Sequence, residues 1–173
     1  MTDDQSDVSR WVEETTAFDR VQSVATTLST PASAAEVAAE AAVAENTARA
    51  HLDRLVEMNV LRSADRDGST VYAPDPLHTR VQTLRDLLSA HDHDGLVALQ
   101  AQLQERIEEW HEEFGVDDPE TLRATAATTE TAAATRRRRE VAADWETTAH
   151  RLSVVTDAVK NYETYTRDPV SAR

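Results

Sequence analysis

Between Ser33 and Pro76 the apolar spacing switches from a helical to a strand rhythm, with turn residues where each switch demands one. Ser33 and Glu36 have the S-x-x-E spacing of a capping box, in which each side chain satisfies a backbone N–H left unpaired by the first helical turn. Val37 and the alanines around it make a thin helix that a second helix can cross closely, and Val43 sits in the turn as an apolar pin. The second helix is expected from about Ala44 to Met58, with Ala48, Leu52, Leu55 and Val56 as its buried stripe. Its other side carries Asn46, Thr47, Ala50, Asp53, Arg54 and Glu57, with Arg49 and His51 on the flanks. Asn59 follows the last turn, where a left-handed residue is wanted and asparagine is tolerated.

Val60–Ala64 and Ser69–Ala73 are short β-prone runs around Asp65-Arg66-Asp67-Gly68, and an Asp-Gly turn between such runs signals a hairpin. Strands this short must pack on the helices. Pro74 and Pro76 close the second run, because proline has no N–H for the ladder. Upstream, Phe18, Val21, Ala25 and Leu28 share one helical face, preceded by an arm over residues 1–15 that contains Trp11 and Val12. The order predicts a winged helix-turn-helix over residues 16–76 with a two-stranded wing, whose second helix enters a DNA major groove.

The run A-E-N-T-A-R-x-H-L-x-R-L from Ala44 to Leu55, the V-L from Val60 and the Y-A-P-D-P from Tyr72 to Pro76 resemble the ArsR-like winged-helix regulators of halophilic archaea. The whole chain is similar to a small group of uncharacterised haloarchaeal proteins with this head and a helical tail. The resemblance implies a DNA-binding transcriptional regulator. Two departures stand out. Ala44 occupies the position of the usual serine N-cap, which weakens the cap by about 1 kcal/mol. The chain has no cysteine, so thiolate metal or redox sensing of the usual ArsR kind is excluded.

With 32 acidic residues against 18 Lys+Arg the net charge is -14, and Lys160 is the sole lysine. Such a surface fits a salt-rich cytoplasm, where carboxylates hold water and repulsion is screened. No apolar run approaches the roughly 18 residues of a membrane span, and no signal peptide is recognisable, so a cytoplasmic protein without membrane contact is expected. DNA binding ordinarily uses a basic surface. Residues 1–17 carry -4, residues 18–90 carry -3 and residues 91–173 carry -7, so the head is nearest to neutral for its length. Its Arg49, Arg54, Arg62 and Arg66 are expected to form a basic edge, with an unusual salt dependence of affinity.

Within that edge, Asn46, Thr47, Arg49 and Ala50 are expected nearest the bases, Asn46 able to read an adenine edge and Ala50 small enough for a thymine methyl. Arg54, with Arg62 and Arg66 of the wing, is expected to reach phosphates or the adjacent minor groove, with Ser69 and Thr70 beside them. His51 either meets a phosphate or base edge or covers the helix–wing junction.

Beyond Pro76 the pattern is helical. Leu77, Val81, Leu84 and Leu88 form one stripe, and HDHDG at 91–95 interrupts it. A helix carrying Leu96, Leu99, Leu103, Ile107, Trp110 and Phe114 is expected to end at Gly115, and Asp118-Pro119-Glu120 to start another. Val141, Trp145, Thr148, Leu152, Val155, Val159 and Tyr162 keep a heptad rhythm that Arg167-Asp168-Pro169 ends. These stripes fit either packing within one chain or pairing with a second copy. A two-fold operator favours the second, so residues 77–167 are expected to be a helical dimerisation region and 168–173 a tail. The fold class is mainly α, and the dimer contacts are assigned to Leu96, Leu99, Leu103, Ile107, Trp110, Val141, Trp145, Leu152, Val155, Val159 and Tyr162.

Other constellations carry less. His91, Asp92, His93 and Asp94 are metal-binding types at a spacing poor for one tetrahedral site, and Asp92 or Asp94 serves more simply as an N-cap. Arg136 to Arg139 point all round a helix and are expected to pair with Glu130, Glu140, Asp144 or a neighbour's acids. Trp110, Phe114 and Trp145 fit a core better than an effector pocket. No nucleophile motif or glycine-rich phosphate loop is present, so no enzyme, cofactor or metal is expected.

Overall fold

A computed structural model describes residues 14–128 and 131–167. Residues 1–13 of the expected arm, with Trp11 and Val12, the tail 168–173 with the Asp168-Pro169 stop, and Glu130 lie outside the described residues. The described chain is mainly helical with a small three-stranded antiparallel sheet. It divides into two compact units, Met1–Val81 and Gln82–Arg173, so the border falls a few residues beyond the expected Pro76.

The first unit runs α1 (Ala17–Thr26), β1 (Ala32–Ser33), α2 (Ala34–Glu40), α3 (Glu45–Glu57), β2 (Leu61–Arg66) and β3 (Ser69–Pro74). Its helix starts are set locally. Ser33 Oγ accepts the Glu36 N–H at 3.3 Å while Glu36 Oε2 accepts the Ser33 N–H at 2.7 Å, the expected capping box. Thr16 and Asp19 form a second one at α1, at 3.1 and 3.2 Å. Ala44 caps α3 with no side-chain bond.

Both α2 and α3 end in the same way. The Val43 N–H reaches back to the Ala38 carbonyl at 3.0 Å, and the Val60 N–H to the Leu55 carbonyl at 2.9 Å. This closure requires a left-handed residue between, supplied by Asn59 at φ 57° and, against its steric preference, by Ala42 at φ 51°.

The hairpin turn is tighter than the four-residue loop expected. Asp67 and Gly68 alone form it, both with positive φ, and Asp65 Oδ1 accepts the Gly68 N–H at 3.1 Å. Asp65 and Arg66 therefore belong to β2, whose register pairs Arg66 with Ser69 and Leu61 with Pro74. The third strand, β1, pairs Ala32 with Tyr72 and Ser33 with Val71, giving the order β1-β3-β2. Two residues are too short for any period to show. One continuous apolar core joins all these elements, with Val21, Val37, Ala48, Leu52, Leu55, Leu61 and Tyr72 among its members. Within it Arg20 is only 6% exposed and donates to the Ala41 carbonyl at 2.9 Å and the Thr15 carbonyl at 2.8 Å. A cation there meets the carbonyl end of α2.

Helix α4 (Pro76–Ala90) leads into α5 (His93–Phe114), α6 (Pro119–Ala126), α7 (Ala132–Lys160) and α8 (Tyr162–Thr166). Asp92 caps α5 through the Gly95 N–H at 2.8 Å, Gly115 ends it at φ 63°, and Asp118 caps α6 through the Thr121 N–H at 2.7 Å. Leu77 stays 70% exposed and Val81 is exposed as well. The second unit has two clusters. Leu87, Leu96, Val154, Val155 and Ala158 pack with Leu99, Leu103, Val159 and Tyr162, while Trp110, Leu122, Ala142 and Trp145 pack with Ile107, Phe114 and Val141. Ten of the eleven residues expected at a dimer seam are thus packed together within one chain; Leu152 is half-buried and joins neither cluster. The long helix stops at Lys160, two residues before Tyr162, and at its cap Asn161 Nδ2 donates to the Asp157 carbonyl at 3.2 Å and to Asp157 Oδ1 at 2.8 Å.

Candidate nucleic-acid interface

Helix α3 presents two unlike faces. Ala48, Leu52 and Leu55 are fully buried, as the spacing demands, while Asn46, Arg49, Ala50, Asp53, Arg54 and Glu57 are exposed and Thr47 is half-buried. At 100° per residue, Arg49 and Asp53 fall on one flank of the exposed face and His51 and Arg54 on the other.

Every charged group on those flanks has a partner. An Arg49 Nη donates to Glu45 Oε1 at 2.6 Å, one turn back on a surface where both side chains are about half exposed. Such a pair is worth only a few tenths of a kcal/mol, about 0.3–0.5 at i,i+4, so Arg49 is held but easily released. The Arg54 guanidinium lies 5.3 Å from the centre of the Phe18 ring, and His51 meets the same ring edge-on at 5.5 Å. His51 therefore covers the junction of α3 with α1 and not the helix–wing junction.

Asp53, although exposed, is held as well. Its Oδ1 accepts the Tyr72 hydroxyl at 2.7 Å, from a β3 side chain that is 1% exposed. Burial first, and then the bond to the Asp53 carboxylate, push the Tyr72 hydroxyl up to about 12.

In the β2–β3 hairpin, strand alternation sends Arg62, Ala64, Arg66 and Ser69 to one face of the sheet. Thr70 shares the opposite face with Tyr72, so the two hydroxyl residues expected to act together, Ser69 and Thr70, point apart. Arg62 approaches Asp75 at 3.9 Å. The Ser33 backbone N–H, then its hydroxyl, hold the Glu36 carboxyl below its ordinary value, and nearby Arg66 adds to this. The arginine face holds a shallow groove of about 480 Å³, floored by Ala64, Val71 and Ala73 and edged by Pro31 and Pro74.

The expected site residues thus fall into two sets, one along α3 and one on the β2–β3 hairpin, where Thr70 lies on the face opposite Arg62, Arg66 and Ser69. Two neighbours of the candidate residues had no signal at their spacing: Phe18 against His51 and Arg54, and Tyr72 on Asp53. Both contacts join segments far apart in the chain.

Elsewhere the lesser constellations resolve simply. Among the described residues no three His, Asp or Glu side chains group as metal ligands. Asp92 is the N-cap, and the His93 ring lies 5.4 Å from Tyr162. Arg137 pairs with Glu113 on α5, an acid outside the expected set, and Arg123 with Glu146 at 2.8 Å. Trp110 and Trp145, 5.9 Å apart, are core side chains.

A family model described as a family of unknown function (DUF7342) matches residues 15–164, and the chain belongs to that family. No curated protein and no solved structure matches the chain.

Proposed function

From membership in a family without an assigned function, we propose that the chain is a winged helix-turn-helix regulator of transcription. It binds double-stranded DNA through α3 and the β2–β3 hairpin, and acts as a homodimer on a two-fold operator in a salt-rich cytoplasm. The observation that carries the reading is the first unit itself: a helix, a short strand, two helices and a hairpin in that order. Its sheet order is β1-β3-β2, and the second helix of the pair turns a polar, unburied face outward. Asn46, Arg49 and Ala50 are the base-reading candidates on that face, with Arg54 at its flank and Arg62 and Arg66 on the wing for phosphates. The residue resemblance to ArsR-like regulators supports the same reading.

Electrophoretic mobility shift with genomic fragments, across a KCl series reaching molar concentration, tests it. Binding that persists into molar KCl is expected; a steep, monotonic loss of affinity with salt counts against the salt-adapted reading. Arg49→Ala should cost about 1–3 kcal/mol and blur sequence preference, whereas Arg66→Ala should weaken all sequences alike. Light scattering on the full chain measures the homodimer. Because most of the long-helix stripe is packed inside one chain, pairing uses faces that those clusters leave open.

A second reading, a winged helix that binds protein and no DNA, is favoured by one observation. Glu45, Asp53 and Glu57 place three carboxylates on the exposed side of α3. It predicts no mobility shift at any salt.

A further inference from the structure

An aspartate on the exposed side of a helix proposed to enter a groove is a liability, because a carboxylate facing phosphates repels them. Asp53 does not face outward freely. Its Oδ1 is the acceptor for the Tyr72 hydroxyl at 2.7 Å, and Tyr72 is almost completely buried at the centre of the sheet. Tyr72 also pairs with Ala32 of β1 and Ser63 of β2, so it touches every strand. The bond therefore spans from the middle of α3 to the only strand that both others flank.

We infer that the Asp53–Tyr72 hydrogen bond is a tether that fixes the orientation of the hairpin against α3, making Asp53 a positioning residue for the wing. The functional half of this inference rests on the DNA-binding reading above. The hairpin needs such a device for a physical reason. Its side chains outside the sheet's centre are mostly exposed: in β2 only Leu61 is buried, and in β3 only Tyr72. Apolar packing is non-directional, and the ladder that ties the hairpin to the rest of the unit, between β1 and β3, is two residue pairs long. A hydrogen bond to a charged acceptor adds direction, and such bonds are the stronger kind. The carboxylate that would repel DNA is in the same act turned toward the wing. Arg49, on the same flank as Asp53, remains bound only to an exposed glutamate and is free to exchange it for a phosphate or base.

Three variants test the tether: Tyr72→Phe, which keeps the buried ring and removes the donor; Asp53→Asn, which keeps an acceptor oxygen; and Asp53→Ala, which keeps neither. Hydrogen exchange on the free proteins gives a reading that needs no DNA. Tyr72→Phe and Asp53→Ala should raise exchange in the β2–β3 hairpin while α1 and α2 stay protected, and Asp53→Asn should restore most of the protection. Unchanged hairpin exchange in Tyr72→Phe overturns the tether. On DNA, Tyr72→Phe should lose about tenfold in affinity, with the salt slope falling by roughly one phosphate contact, and should lose footprint protection only on the flanks of the site. A uniform loss over flanks and centre, accompanied by faster exchange throughout the first unit, overturns the positioning role in favour of plain structural support. Failure of the unmodified chain to bind any DNA removes the DNA-binding reading, and the hydrogen-exchange comparison still decides the tether.

Discussion

The two units of this chain use similar residues to different ends. In the first, one continuous apolar core joins three helices and a sheet, and Arg49, Arg54 and Asp53 on α3 are held by a neighbour on the same helix, a ring and a hydroxyl. In the second, the core is divided into two clusters along the long helices, one aliphatic and one built around Trp110 and Trp145. Of its ion pairs, Arg137 with Glu113 and Arg123 with Glu146 run between its own helices, while Arg106 with Glu109 lies within α5. Both units carry exchangeable contacts of this kind, Arg49 with Glu45 in the first and Arg106 with Glu109 in the second; the difference lies in the pairs that join helices. An i,i+4 pair such as Arg49 with Glu45 is lost at little cost, so it leaves a cation available to a ligand. A pair that joins two helices of one cluster is tied to their packing.

The strongest challenge to this contrast is to empty one core and watch the other. Trp145→Ala removes the centre of the aromatic cluster and should cost about 3–5 kcal/mol. Calorimetry should show a lowered transition for the second unit, with amide protection in α1–α3 retained; equal loss of protection in both units would mean they do not melt separately. The reciprocal variant, Leu52→Ala, empties the first core at a fully buried site and should cost about 2–5 kcal/mol. Here the protection of α5 and α7 is the control that must hold.

Alkaline pH probes the same division through one group. Folded Tyr72 holds its proton more tightly than an ordinary tyrosine, so its contribution to stability is complete below pH 10 and is lost as pH rises toward about 12. Melting temperatures should fall across that window, and Tyr72→Phe should flatten the fall. An equal drop in the variant would assign the loss to other groups. At the acid end the sign reverses. Asp19, Glu36 and Asp118 have lowered values because they accept bonds at helix starts, so their stabilisation is present above the ordinary carboxylate range and is lost as pH falls through the lowered values.

Finer changes test whether the first unit's helix ends were tuned for stability. Ala44→Ser supplies the missing N-cap acceptor of α3 and should add about 1 kcal/mol, read as a raised melting temperature. The smallest expected effect is that of Ala42→Gly. Relief of the left-handed strain, about 1–2 kcal/mol, is offset in part by the greater freedom of glycine in the unfolded chain, about 0.5–1 kcal/mol. A net gain of about 0.5 kcal/mol is expected, and a loss would show that the Ala42 methyl contributes packing that outweighs its strain.

Much of the first unit was legible because its signals are local. The Ser33–Glu36 box, the left-handed Asn59 and the Ala48–Leu52–Leu55 stripe each depend on residues within two turns of one another. The same holds for Gly115 and the Asp118 cap in the second unit. The Thr16–Asp19 box is equally local, but its N3 residue is aspartate and not the Glu or Gln of the usual S/T-x-x-E/Q spacing. The hairpin's existence was readable from Asp-Gly, but its two-residue turn and the inclusion of Arg66 in β2 were not, because several turn types fit the same residues. Nor was the third strand, whose two residues carry no period.

For the site, the residue types on α3 and their exposed face followed from helical spacing, and the weak cap at Ala44 from its departure from the ArsR-like pattern. The sequence therefore settles which side chains stand on which face, since a helix repeats every 3.6 residues and a strand every two. What those side chains hold depends on which distant segments the fold brings near. Folding alone brought Phe18 to Arg54 and Tyr72 to Asp53, and it packed the heptad of α7 against its own chain, because an apolar stripe carries no mark of the partner that will cover it.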